Sequence, residues 1–275
     1  MARLRRPEYG RGAVWLLTGV YFLVPLACAV AFSIGIGGPR QGIGFDAYTG
    51  IFGADGFADS LALTLKLATA TIALVLGLLV PALVTVRLAA PRLRTLVEIV
   101  CLLPLVVPAV ALVAGISAVL RWGPDHFAGT PLFGALVALQ NPEFPFVLVL
   151  AYALMALPLA YRTLDSGLTA IDLRVLVEAA RACGASWPRT LFHVVLPNLR
   201  GALLNTAFLT LALVLGEYTV AAVLGYQPFA VWIVALSGSH AQMSVAVSMV
   251  GLLGTWVLLL VIAAAGRARR PKESQ

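Results

Sequence analysis

Charge is what this chain has least of. Only 11% of its 275 residues are Asp, Glu, Lys or Arg, against 61% that are hydrophobic. An ordinary soluble domain carries about 25% charged residues, so that class is excluded. Cysteine is scarce too: Cys28, Cys101 and Cys183 are too few and too scattered for a disulfide frame, and none has metal-ligand spacing. His126, His193 and His240 stand alone. The apolar segments contain no Ser-His-Asp set, no paired carboxylates and no His-rich cluster. No glycine-rich loop leads into a lysine as a P-loop does, so the chain does not bind and split ATP by that route. The net charge of +7 is not a nucleic-acid footprint, because almost all of it lies between or beyond long apolar runs, where it sets membrane orientation.

Those apolar runs are long enough to cross a bilayer. Arg3, Arg5, Arg6 and Arg11 precede the first, residues 13–36. A secretory signal would have a shorter apolar stretch and a small-residue cleavage site, so this is read as an uncleaved first span. Residues 37–57, rich in Gly with Asp46 and Asp55, lack a helical period and are expected to be an outer loop. The second span, 59–86, exceeds about 20 residues and must tilt or project. Arg87, Arg92 and Arg94 form a basic turn before the third span, 93–120, which Pro104 and Pro108 should kink by removing backbone donors. Residues 121–141 read as a loop with a short apolar patch. The fourth span, 144–164, contains Pro158. A charged passage follows, then the fifth span at 201–224, an uncharged outer segment at 225–239 with a short helix, and the sixth span at 242–265. Trp15, Trp122, Trp232 and Trp256 are expected as interface anchors or lipid-facing rings.

All of the nineteen Lys and Arg except Arg40, Arg121 and Lys66 fall in the N-terminal tail, the 87–94 turn, the 162–200 passage and the C-terminal tail. By the positive-inside rule these are cytoplasmic. The expectation is an all-α membrane protein with six transmembrane helices and both termini inside.

Within the charged passage two helices can be read, joined at a glycine. The first, 172–183, places Val175, Leu176, Ala179, Ala180 and Cys183 on one face and Arg174, Glu178 and Arg181 on the other. Gly184 is its C-cap, Ser186 offers an N-cap oxygen with Pro188 in the first turn of the second helix, and Pro197 closes the passage. An amphipathic helix lying on the lipid surface would share this composition. The spacing is more specific: Glu178-Ala179-Ala180, three residues, Gly184, nine residues, Val194, one residue, Leu196-Pro197.

That gapped pattern resembles the cytoplasmic loop signature of permease subunits in ATP-driven, binding-protein-dependent importers. The family often has isoleucine where Val194 stands and a larger aliphatic where Cys183 stands. The resemblance implies a type I ABC importer permease fold in a bacterial inner membrane. Its parts here would be residues 1–56 (tail, first span and outer loop), a five-helix core at 57–265 containing the coupling loop 165–199, and a basic tail at 266–275. It implies that Glu178, Ala179, Ala180, Gly184, Leu196 and Pro197 engage a cytoplasmic ABC ATPase dimer. The other implied partners are a second permease subunit, identical or homologous, and an extracytoplasmic substrate-binding protein, with no nucleic acid. The chain itself would be no enzyme and bind no cofactor; ATP and Mg would sit on the ATPase.

Lys66, Glu98 and Glu217 fall within spans, where a charge costs about 2.5–3.5 kcal/mol on insertion scales. Glu98 lies near an inner end and is expected to snorkel or to pair with Arg94. Lys66 and Glu217 fall at matching depth, about 10 Å below the outer surface at roughly 1.5 Å per residue, which suggests an ion pair lining the pathway; otherwise each faces its own polar cavity. The Gly216-Glu217-Tyr218 step also resembles permeases of the spermidine/putrescine type, which implies a polyamine substrate, although branches carrying ferric iron, thiamine or phosphonates share much of it. An ion-driven secondary transporter would need more spans and charges nearer the midplane. A membrane scaffold would leave the gapped motif unexplained.

Overall fold

The computed structural model describes residues 9–37 and 42–267. Arg3, Arg5, Arg6, Arg40 and the basic tail beyond Arg267 lie outside them. The described residues are helical or in turns, with no strand among them. In order the helices are α1 (Tyr9–Ser33), α2 (Asp46–Thr49), α3 (Phe57–Leu88), α4 (Arg94–Leu102), α5 (Ala109–His126), α6 (Pro131–Leu139) and α7 (Phe146–Thr169). There follow α8 (Leu173–Ala182), α9 (Trp187–Thr190), α10 (Leu196–Asn198), α11 (Arg200–Gly216), α12 (Thr219–Val223), α13 (Phe229–Ser237) and α14 (Ala241–Arg267). The chain divides into two compact units, one of residues up to Phe57 with Ile233–Trp256, the other of Ala58–Trp232 with the remainder.

In the first unit α1 is exposed through its apolar length, as suits a helix whose solvent is lipid. Its end is fixed by Ser33, whose hydroxyl donates to the Val30 carbonyl at 2.7 Å and meets the Tyr48 hydroxyl at 2.7 Å. The 37–57 stretch, expected to lack helix, holds α2 and a 3-10 turn at Gly50–Gly53. These single turns are too short for any periodicity to register in sequence. Ser244 of α14 donates to the Ile233 carbonyl at 2.9 Å and so ties α14 to the preceding helix.

The second unit is organised on α7, which is buried on more than one face. One apolar cluster joins Val75, Leu79, Leu83 and Val84 of α3 to Ala156, Ala160, Leu164 and Leu168 of α7. A second joins Leu67 and Ala68 of α3 to Leu148 and Tyr152 of α7 and to Val214, Val220 and Ala221. In hydrocarbon, apolar burial does not by itself drive helices together, so close packing must do it. The tightest point is Gly167 of α7: a Cβ placed there would lie 2.3 Å from the Ala202 Cβ of α11.

Among the described residues three helices are apolar and long enough to cross a membrane, Gly12–Ser33, Phe57–Leu88 and Phe146–Thr169. The expected kink of the third span is instead a break: Pro91–Leu105 and Ala109–His126 are inclined at 99°. Pro104 lies in a 3-10 turn, and Pro108 adopts the extended φ −60°, ψ 142° that starts α5. Two donors missing within one turn leave nothing to hold a continuous helix. Two further expectations are corrected. Residues 121–141 are mostly helix, because α5 runs on to His126 and α6 packs over buried Gly123, with the Leu136 Cδ1 at 3.2 Å from where a Cβ would stand. The fifth span ends at Gly216 rather than running to 224. Of the tryptophans, Trp15, Trp122 and Trp256 are exposed as expected, but Trp232 is buried, stacked on Phe229.

Gly167→Val should therefore lower the thermal midpoint of the detergent-solubilised protein, by an overpacking penalty of about 1–3 kcal/mol. Gly201→Ala, with open space around the added methyl, should leave the midpoint in place.

Candidate functional site

The charged passage folds as two helical segments meeting at Gly184. The Asp172 carboxylate caps the first, its Oδ1 accepting from the Val175 N–H at 3.2 Å. The other end closes in a Schellman turn: the Ala185 N–H reaches the Ala180 carbonyl at 3.1 Å and the Gly184 N–H reaches that of Arg181 at 2.9 Å. Gly184 takes φ +79°, a left-handed conformation open to glycine at little cost.

Burial corrects the expected faces of α8. Leu173 and Val177 are buried and enter the same apolar cluster as Leu83, Leu164, Leu168, Val195 and Leu199. Leu176 and Ala180 are half-buried beside them. Val175 is 57% exposed, and Ala179, Ala182 and Cys183 are exposed with Arg174, Glu178 and Arg181. Leu173 and Val177 stand one helical turn apart and claim the core side, which rotates the Val175–Ala179–Cys183 row outward. The face left open thus combines small side chains with the Glu178 carboxylate.

The second segment departs from expectation in two ways. Ser186 makes no side-chain cap; its carbonyl accepts from the Thr190 N–H at 2.9 Å and from the Thr190 hydroxyl at 3.1 Å. Pro197 is exposed and does not close the passage. A π-helical stretch, Leu191–Val195, precedes it and α10 continues through it to Asn198. A proline lacks the N–H for the carbonyl four residues back and crowds it, and the wider π turn relieves that contact. The Asn198 side chain donates to the Val194 carbonyl at 2.7 Å. Leu196 is half-buried against the core. The chain turns only at Leu199, where α11 leaves at 77°.

The charges within spans do not pair as expected. The ion pairs among the described residues are Arg87–Asp165 and Arg94–Asp165, and Lys66 and Glu217 form none. Glu217 is 8% exposed, and its carboxylate turns back to the N-terminus of α12, accepting from the Val220 N–H at 3.1 Å. A buried carboxylate held by backbone donors has no need of Lys66, which is exposed on α3. Tyr218, at 42% exposure, is the open member of the Gly-Glu-Tyr step. Arg94 likewise reaches Asp165 rather than Glu98.

Asp165 was the residue missed. Arg87 Nη2 lies 2.6 Å from Asp165 Oδ1, 2.8 Å from the Asp165 carbonyl and 2.7 Å from Thr169 Oγ1, all on the last turn of α7. Arg94 Nη2 stands 3.4 Å from Asp165 Oδ2. The available signal was an acid at the inner end of one span and arginines at the inner ends of two others. Glu98, nearer to Arg94 in sequence, obscured it.

Residues 73–274 match the family described as binding-protein-dependent transport system inner membrane component. The chain belongs to this family. A curated relative, the probable ABC transporter permease protein y4fN of Sinorhizobium fredii, is 28% identical over 264 residues, covering 91% of this chain and 44% of the relative. The chain thus spans less than half the length of that relative. A solved structure, the bacterial alginate ABC transporter in complex with alginate pentasaccharide-bound periplasmic protein, superposes with a TM-score of 0.62 over 96% of this chain and 94% of that one, at 18% identity. That likeness establishes the ABC permease fold and bears on nothing finer. As a family member with span-length apolar helices, the chain is a multi-pass membrane protein.

Substitution at Gly184 should open the Schellman turn, since a β-branched residue there costs about 1–2 kcal/mol in left-handed backbone. Gly184→Val is expected to speed limited proteolysis between α8 and α9 in the purified protein while leaving its membrane insertion unchanged.

Proposed function

We propose that the chain is the permease subunit of an ATP-driven importer and couples to its ATPase through α8. The observation that carries this reading is the geometry of that helix: Leu173 and Val177 bind it to the core while Val175, Glu178, Ala179 and Ala182 face outward, capped at both ends. An amphipathic helix resting on lipid would turn its largest apolar side chains to the membrane; here two of them are committed to protein.

In this reading six spans, with the bent pair at 91–126 and α14 each counted as one, cross a bacterial inner membrane with both termini in the cytoplasm. Two permeases, this chain and a copy or homologue, form the pathway. Each lays Glu178, Ala179 and Ala180 into a groove on a cytoplasmic ABC ATPase, with Gly184 setting the turn and Leu196 and Pro197 bracing the passage from behind. ATP and Mg are held by the ATPase pair, whose closure moves α8 and opens the pathway to a substrate-binding protein outside. The chain hydrolyses nothing itself. Lys66, Glu217 and Tyr218 belong to the pathway: the carboxylate shapes the break between α11 and α12, and the other two present their side chains.

For the cargo, the resemblance of the Gly216-Glu217-Tyr218 step to spermidine/putrescine-type permeases supports a polyamine, with ferric iron, thiamine or a phosphonate as the alternative. The polysaccharide in the solved neighbour's title belongs to that protein, and at 18% identity it does not compete with this reading.

Two measurements test the assignment. The tagged chain, gently solubilised, should bring down a P-loop ATPase, and Glu178→Lys or Gly184→Val should abolish uptake while insertion persists. Normal uptake in either variant would sink the coupling role. Exposed Cys183 supplies the second: a membrane-impermeant maleimide should label it in inside-out vesicles stripped of ATPase but not in right-side-out ones, and added ATPase should protect it. If the co-purified binding protein ignores spermidine and putrescine, the polyamine reading falls and the importer reading stands.

A further inference from the structure

We propose that Asp165, bridging Arg87 and Arg94, is a positioning residue that makes the inner ends of α3, α4 and α7 move with α8 as one body. The proposal rests on the importer reading and adds residues that lie outside the gapped motif.

Three elements meet at one carboxylate. Arg87 closes α3 and binds one Asp165 oxygen, while Arg94, the first residue of α4, approaches the other. The same Arg87 nitrogen reaches the Asp165 carbonyl and the Thr169 hydroxyl, and that hydroxyl donates to the Asp165 carbonyl at 2.7 Å. The last turn of α7 is thereby held on its side chains and its backbone together. Only residues 170–172 separate that turn from α8, and they are tight: the Ala170 N–H bonds back to Ser166 and Gly167, and the Leu173 N–H to Ile171.

Apolar packing alone would not make this assembly rigid. Leu173 and Val177 of α8 share a cluster with Leu83 and Val84 of α3 and with Leu164 and Leu168 of α7. Such contacts resist separation, but the hydrophobic term itself is non-directional. Charge-assisted hydrogen bonds with several acceptors do fix register. The side chains of Arg87 and Asp165 are only 18% and 21% exposed, which sets them apart from open surface pairs that contribute little; Arg94, at 55%, is the looser arm, and α4 is also held by Cys101 in the shared cluster. A push on α8 would pass to α7 through the short link, and from α7 to α3 and α4 through Asp165.

The test uses the assembled complex that the tagged chain brings down, with ATP as the probe. Spin labels are placed on α8 at Arg174→Cys, an exposed position outside the residues assigned to the ATPase groove, and on α4 at Leu96→Cys, also exposed, with Cys28, Cys101 and Cys183 replaced by alanine. The short intrachain distance should stay narrow and unchanged between nucleotide-free and ATP-bound complexes. In Asp165→Asn it should broaden on adding ATP, and uptake per ATP hydrolysed should fall about tenfold, within the usual range of coupling energies. Arg87→Lys keeps the charge but is shorter than the side chain whose Nη2 reaches Asp165 and Thr169, and should fall between. If Asp165→Asn does not assemble, Asp165→Glu is measured instead and should show the same broadening to a smaller degree. The proposal is overturned if the wild-type distance itself changes with ATP, or if Asp165→Asn or its Glu substitute matches wild type in distance and in uptake per ATP. A wild-type chain that brings down no ATPase would remove the importer reading and this proposal with it. A complex that assembles and transports normally with Asp165→Asn removes this proposal alone.

Discussion

The crossing of α7 and α11 at Gly167 sets the rest of the second unit. With no Cβ at that position, Ala202 comes within a distance that any other residue would forbid, and the two helices share a face. In a lipid solvent this closeness is itself the attraction, because dispersion contacts and not water exclusion hold spans together. Once α11 is seated, Leu199 at its foot is buried in the α3–α7 cluster, and the passage behind it has a fixed end. Once α7 is seated, its last turn aims the short link into α8. The outward-facing helix α8 is thus positioned by a contact well inside the membrane-spanning bundle.

Apolar length and charge placement made the broad architecture legible. Runs near residues 12–33, 57–88 and 146–169 are read from hydropathy alone, because the bilayer demands an unbroken stretch with every backbone group satisfied internally. The break of the charged passage was equally plain, since Gly184 has a local mechanism that works at one register only, whereas the cap falls on Asp172 and not, as expected, on Ser186. Where the reading failed, the deciding partner lay far away in sequence. The outward face of α8 depended on which of two apolar rows the core would take, and Leu173, the residue that decides it, sits at the edge of the helix. Pro197 was read as a stop because prolines generally are one. A π turn upstream lets the helix pass, and nothing in the sequence distinguishes the two solutions.

The ion pairs teach the same lesson with charges. Matching depth made Lys66 and Glu217 plausible partners, yet depth is one coordinate and pairing needs three. Glu217 found a backbone donor three residues away, at little cost in chain entropy, and its side chain now finishes α11 and starts α12. Asp165, by contrast, bonds across more than seventy positions to both Arg87 and Arg94. Local pairing was anticipated where long-range pairing occurs, and long-range pairing where the solution is local.

A chain so poor in charge can spend very few of its ionised groups on structure. Among the described residues most arginines stand at or near helix ends, where water and headgroups solvate them at small cost. Asp165 is the exception among the inner-end groups, shielded and bound on both oxygens. Its placement one turn before the helix that faces outward joins two needs. The polar ends of the helices must be kept out of hydrocarbon, and α8 must be held in place against the bundle. The apolar cluster and the Gly167 crossing seat the helices, and the hydrogen bonds at Asp165 add a directional hold at one edge. At the foot of α7 both occur together.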